Sequence, residues 1–338
     1  MEKLANSTSL TSITTRLELL KKSYPNLRKI VEDLVIEKYV NGEKNEYILS
    51  WSEWIKCALY SIAPEYVRNA PVNAPVPLEI LAKLPIPMIE LVTVGTWMYT
   101  KNIYRFKNEL AQLITKTPFK REVPVDLLHL KELSLYVQTD NMKLEFAGQE
   151  IQGVMYTKNV LNGVPVLLTT LFFKSGPTFS TAMILETGKT IEYGILEFIR
   201  QNHSDQAILD DQTVQEVLRI QKLSVNILLW FSQKEPEVMA INVGNKVQDF
   251  VKRTKGKFKL IESKNYREFL VGHETAQLIK EAKQQIQNSD RKAIEPQIRL
   301  PHWQLYWLGK KGSFDQYEIK WKSKYYVGVQ AKQTKKGL

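Results

Sequence analysis

Asn162-Gly163 is the feature that most constrains this chain. Both residues tolerate positive φ, so the pair suits the tight turn of a two-residue hairpin. The sequence on either side is strand-like, over Ile151–Tyr156 before the turn and Val164–Phe173 after it. Further strand-like stretches, Leu133–Val137, Lys143–Phe146 and Ser180–Leu185, are separated by Asp140-Asn141, Ala147-Gly148 and Ser175-Gly176-Pro177. Closely spaced strands joined by turns predict an antiparallel sheet.

Helical spacing flanks that sheet. Ile13, Leu17, Leu19 and Leu20 lie on or near one helical face. Pro25 suits the first turn of a second helix, which carries Leu27, Ile30, Val31, Leu34 and Val35. Ser50 opens a third, with Trp51, Trp54, Ile55, Ala58 and Leu59 at helical spacing. Five prolines between Pro71 and Pro87 then limit helix continuity and mark a boundary. Helical patterns resume at Leu78–Leu84, Met88–Met98 and Tyr104–Thr115, and again at Thr190–Arg200. Thr213-Val-Gln-Glu216 reads as a capping box opening the longest helix, apolar enough to be buried and stopped by Pro236. The segment from Lys252 to Lys259 reads as a basic linker, and His273–Gln287 as a mostly polar helix. The expected fold is α+β: an N-terminal helical region (1–75), a core with a central antiparallel sheet and a long buried helix (76–250), and a basic C-terminal region (251–338) ending in an aromatic β-hairpin.

That hairpin holds three of the seven tryptophans. Trp303, Leu305 and Trp307 alternate with His302, Gln304 and Tyr306; Tyr317, Ile319 and Trp321 alternate with Glu318, Lys320 and Lys322. Period-two alternation makes each stretch a half-buried strand. Two readings fit. As a core-closing element the hairpin needs only its aromatic cross-strand pairs. As a recognition surface it presents His302, Tyr306 and the lysines to a ligand while the tryptophans hold it in place.

Charge is the second constraint. The net charge of +11 is concentrated: residues 251–338 carry 20 Lys and Arg against 8 Asp and Glu, while the first 250 residues carry 27 against 28. Such asymmetry fits either an anionic partner, most often nucleic acid, or a solvated basic face. The single cysteine, Cys57, cannot form an intrachain disulfide, which suits a reducing, cytoplasmic setting. The longest apolar runs are broken by Thr, Glu90 or Gly95 and fall short of the ~20 residues of a membrane span.

Catalytic patterns are missing from the sequence. The four histidines show no H-E-x-x-H spacing, and there is no phosphate-binding glycine loop or nucleophile elbow. Asp210-Asp211 are adjacent carboxylates that read as helix N-terminal charges. His302 alone lies in a dense motif; a metal-free ribonuclease would need a second acid or base beside it. The expectation is therefore a binding protein without cofactor, metal or catalytic residue.

Three blocks carry a family resemblance. Pro296, Arg299, His302, Trp303, Tyr306, Trp307, Gly309 and Trp321 match the C-terminal signature of the type V-A anti-CRISPR proteins of the second family. Ile227-Leu-Leu-Trp230-Phe-Ser232-Gln-Lys-Glu235-Pro236-Glu237 and Gly95-Thr-Trp97 with Ile103-Tyr104 resemble two further blocks of that family, in the same order. Gln297, Leu300 and Pro301 depart from the signature, as does Ser232, which stands where the family has Cys. The resemblance implies a protein of phage or plasmid origin that blocks production of the type V-A CRISPR nuclease. It would do so by recognising the nascent N-terminal polypeptide and triggering loss of the messenger RNA. The partners expected are that polypeptide and RNA or a translating ribosome, with no membrane. The candidate binding residues are Arg299, His302, Tyr306, Trp307, Lys310, Lys311, Lys320, Lys322 and Lys324, with the basic run Lys252, Arg253, Lys255, Lys257 and Lys259. Trp97, Tyr104, Trp230, Glu235, Pro236, Trp303 and Trp321 are expected to be structural. The alternatives are an RNA-binding protein or metal-free ribonuclease that needs no peptide, and a plasmid protein of the same fold with another target.

Overall fold

A computed structural model describes residues 10–42, 47–69, 84–119, 123–202, 211–241, 251–254, 257–260, 263–287, 301–308 and 316–322. The Asn162-Gly163 turn is present. Strands β4 (Gln149–Leu161) and β5 (Val164–Phe173) pair antiparallel with Leu161 opposite Val164. Asn162 and Gly163 take φ of 51° and 80°, the positive values a two-residue hairpin of this kind requires.

Around this hairpin lie β2 (Ser134–Gln138), the short β3 (Leu144–Phe146) and β6 (Thr178–Ile184), all antiparallel to their neighbours. The sheet then continues in a way that local spacing did not announce. β1 (Asn102–Phe106) pairs parallel with β2 on one side and with β10 (Arg267–Val271) on the other; β7 (Val238–Ala240) closes the edge antiparallel to β10. The eight-stranded sheet is mixed, in the order β6-β5-β4-β2-β1-β10-β7, with β3 on β4.

Helices cover both faces. Along β5, Leu167, Leu171 and Phe173 enter one core, and Val166, Leu168 and Phe172 enter the other. This alternation follows from the pleat. The first core holds α6 (Asn108–Lys116), α7 (Ile191–Asn202) and α8 (Asp211–Phe231). The second holds α1 (Leu10–Ser23), α2 (Leu27–Val40), α3 (Trp51–Ile62) and α5 (Met88–Trp97), with the short α4 (Pro64–Asn69) following α3. In α1 and α2, Ile13, Leu17, Leu20, Leu27, Val31 and Val35 form the buried stripe, while Leu19 points away, 43% exposed. The start of α3 is held by Glu53, whose carboxylate accepts from the Ser50 amide at 2.7 Å and from its hydroxyl at 2.8 Å.

Several local expectations change. The stretch Tyr104–Thr115 is not one helix: its first part is β1 and its helix starts at Asn108. β1 lies in the middle of the sheet, and a short run buried on both faces cannot be told from helix by periodicity. The longest helix starts at Asp211, so Thr213 lies inside its first turn rather than capping it, and it ends at Phe231 before Pro236. The second helix starts at Leu27 with Asn26 as its cap, leaving Pro25 outside. The basic run is not a linker: β8 (Val251–Thr254) and β9 (Lys257–Leu260) form a separate two-stranded ribbon. The polar helix is found as α9 (His273–Gln287), packed against α6. Leu78–Leu84 falls almost wholly outside the described residues.

Candidate functional site

The aromatic hairpin forms as β11 (His302–Leu308) and β12 (Gln316–Lys322). Trp303 lies opposite Trp321, Leu305 opposite Ile319 and Trp307 opposite Tyr317; His302 faces Lys322, Gln304 faces Lys320 and Tyr306 faces Glu318. The two sets alternate, so one face belongs to the core and the other is polar. Trp303 and Ile319 are each 1% exposed and sit in the first core.

Polar side chains fix that seat. Asn226, inside the apolar half of α8, accepts from Trp303 Nε1 at 3.1 Å and donates to the Thr117 carbonyl at 2.8 Å. Trp321 Nε1 donates to the Thr117 hydroxyl at 3.2 Å, and the Trp321 amide donates to Gln233 Oε1 at 3.3 Å. Trp321 also packs edge-on against Trp230, with ring centroids 5.6 Å apart. Both indole N–H groups thus find acceptors, as buried tryptophans usually do.

The outward face has its own cluster. The Lys322 and Lys320 ammoniums lie 5.0 and 5.5 Å from the centroid of the Tyr306 ring, within cation–π reach. Lys320 also pairs with Glu318 at 3.2 Å, and the Tyr306 hydroxyl donates to Gln304 at 3.0 Å. His302, at the start of β11, is half-buried. Trp307 is placed on β11 by its backbone; Arg299, Lys310, Lys311 and Lys324 lie outside the described residues.

Of the other two blocks, Trp230 and Tyr104 lie in the core that holds the hairpin, whereas Trp97 lies in the second core. Trp97 is fully buried in α5 and donates to the Asn102 carbonyl at 2.9 Å. Gly95 is required beside it, because a Cβ there would meet the Trp54 ring at 2.8 Å. Tyr104 donates its hydroxyl to Glu132, which also accepts from Asn102 at 2.5 Å. Burial pushes the Glu132 carboxyl above the ordinary carboxylate range despite these donors and the nearby Arg267, and pushes the Tyr104 phenol up as well. Ser232 Oγ accepts from the His129 amide at 3.2 Å. Glu235 is exposed and Pro236 half-buried, but Glu237 does structural work: its carboxylate accepts from the Glu274 and Thr275 amides at the start of α9.

Glu132, Asn226 and Thr117 escaped the sequence reading, and Gln233 and Glu237 stood inside a family block without a role assigned to them. Asn226 left a signal, as a polar residue inside Val225–Phe231. The others become meaningful only when distant elements meet. Among the described residues, no three His, Cys, Asp or Glu side chains converge to hold a metal ion. No described helix is long and apolar enough to cross a membrane.

The profile of the Anti-CRISPR type V subtype A2 family, AcrVA2-like, matches residues 104–329, well over half of the chain, and spans two of the three blocks and Tyr104 of the third. The chain is therefore an anti-CRISPR protein, of the class directed against type V-A systems. It belongs to the type V subtype A2 family. Among solved structures, the "Crystal structure of AcrVA2" is similar in fold, with a TM-score of 0.63 at 15% identity, covering 93% of this chain and 98% of that one. No curated protein matches the sequence.

Proposed function

We propose that this protein blocks production of the type V-A nuclease by binding the nuclease's nascent N-terminal polypeptide and triggering loss of its messenger RNA. The observation that carries the reading is the hairpin: the signature residues His302, Trp303, Tyr306, Trp307 and Trp321 lie on a strand pair anchored from behind by Trp303 and Trp321. Such anchoring leaves His302, Gln304, Tyr306, Lys320 and Lys322 on the opposite face, pre-organised for a partner. Arg299, Lys310, Lys311 and Lys324 remain candidates for the same partner from the sequence alone, and Trp307 falls at a register position of the set that includes Trp303. An extended polypeptide suits an aromatic and cationic strand surface of this kind. The reading needs no chemical step by this chain.

The test is made in cells. Expression of the protein should lower both nuclease and messenger when the message is translated, and leave the messenger unchanged when its start codon is removed. Unchanged messenger in both cases, with the protein present in excess, would refute the proposal. Tyr306→Ala with Lys322→Ala should abolish the effect while the protein remains folded, because these side chains lie on the face turned away from the core.

A further inference from the structure

We propose that the β8–β9 ribbon is a docking surface for the phosphate backbone of single-stranded RNA, separate from the aromatic hairpin. It deepens the proposed function by naming a second partner surface, and only the choice of RNA over DNA rests on that reading. The ribbon pairs Val251 with Leu260, Lys252 with Lys259, Arg253 with Phe258 and Thr254 with Lys257. Strand alternation therefore groups Lys252, Lys257 and Lys259 at register positions of one face, and Val251, Arg253, Phe258 and Leu260 on the other. Leu260 is 3% exposed and belongs to the helical core, and β9 packs against α2. The ribbon is thus tethered by one face, and Lys259 on the opposite face is exposed.

Two observations separate this face from an ordinary solvated one. Lys252 stands directly across from Lys259, and like charges so placed destabilise a strand pair unless an anion lies between them. No Asp or Glu occurs from Val251 to Leu260, and Lys259 has no ion-pair partner among the described residues. The hairpin lysines differ on both counts, since Lys320 is paired with Glu318 and Lys322 rests near the Tyr306 ring. The two-residue step from Lys257 to Lys259 spans roughly 7 Å along the strand. That spaces cations along an extended polyanion and supplies no groups that would read bases.

The test uses the purified full-length protein and a fluorescein-labelled oligouridine in anisotropy titrations at several salt concentrations. Lys252→Glu, Lys257→Glu and Lys259→Glu together should weaken binding at least about tenfold and flatten the log–log salt dependence by about 2, from three phosphate contacts at about 0.7 each. Lys320→Glu with Lys322→Glu should leave both quantities close to those of the wild type. Lys259→Glu alone, at an exposed position, should reproduce part of the loss with an unchanged melting temperature, which guards against misfolding of the triple variant. The proposal is overturned if the wild-type protein does not bind the RNA, if the triple variant binds as well as wild type, or if the hairpin variant alone loses binding. Tighter binding to duplex DNA of equal length, or to an acidic peptide, overturns it too. No nuclease or translation is present in this assay, so its outcome is independent of the messenger experiment.

Discussion

Trp303 illustrates how one residue joins fold and function. Its ring fills the first core and its N–H is held by Asn226, so Trp303→Ala loses packing and orphans an acceptor. The expected cost is roughly 3–5 kcal/mol, measured by denaturant unfolding. Trp321 is only half-buried, and its alanine variant should cost less. Asn226→Leu should cost about 1–3 kcal/mol through the unpaired Trp303 N–H and Thr117 carbonyl. Glu132 makes a different prediction. Its folded pKa is raised above 4.5, so the folded state holds the proton more tightly than the unfolded state. Stability is then greatest below the unfolded pKa and falls as pH rises through the higher folded value. Glu132→Gln removes this slope while keeping an acceptor for Tyr104 and Asn102. Melting temperatures should accordingly favour the variant more at about pH 8 than at about pH 4; equal differences at both would show that Glu132 does not titrate differently on folding.

At the scale of elements, the Asn162-Gly163 turn should be sensitive to side-chain addition through its backbone conformation alone. Gly163→Ala places a Cβ at a φ of 80° and should cost about 1–2 kcal/mol by thermal unfolding. The elements readable in the sequence are those whose cause is local. The Asn162-Gly163 hairpin with its strand-like flanks, the alternating strands β2, β11 and β12, and the stripes of α1 and α2 follow from turn chemistry or periodicity. β1 and β10 do not, because a central parallel strand is defined by neighbours far away in sequence. The ribbon was hidden for another reason: five cations in the ten residues Val251–Leu260 drown the alternation of Val251, Phe258 and Leu260. The hairpin motif was legible as candidate site and as strands, whereas the groups that seat it, Asn226, Thr117 and Gln233, come from other elements.

For the whole molecule, the hairpin is a closure. It joins the main body through core side chains and hydrogen bonds from α8 and the end of α6, without pairing to the eight-stranded sheet. A chain ending before His302 should therefore expose Asn226 and Trp230 and be cleaved rapidly in limited proteolysis, with the full chain as the resistant control. The parallel pairing of β1 with β10 has a consequence in time. Asn102 must wait for Arg267 to be synthesised before the middle of the sheet can form. At roughly 5–20 residues per second, that delay is on the order of 10 s. Throughout it β1 has one free edge, and the nascent chain presents an open template for strand pairing. This protein is itself exposed while on the ribosome, and chaperone supply or a slowed stretch of translation should set how much of it reaches the folded state.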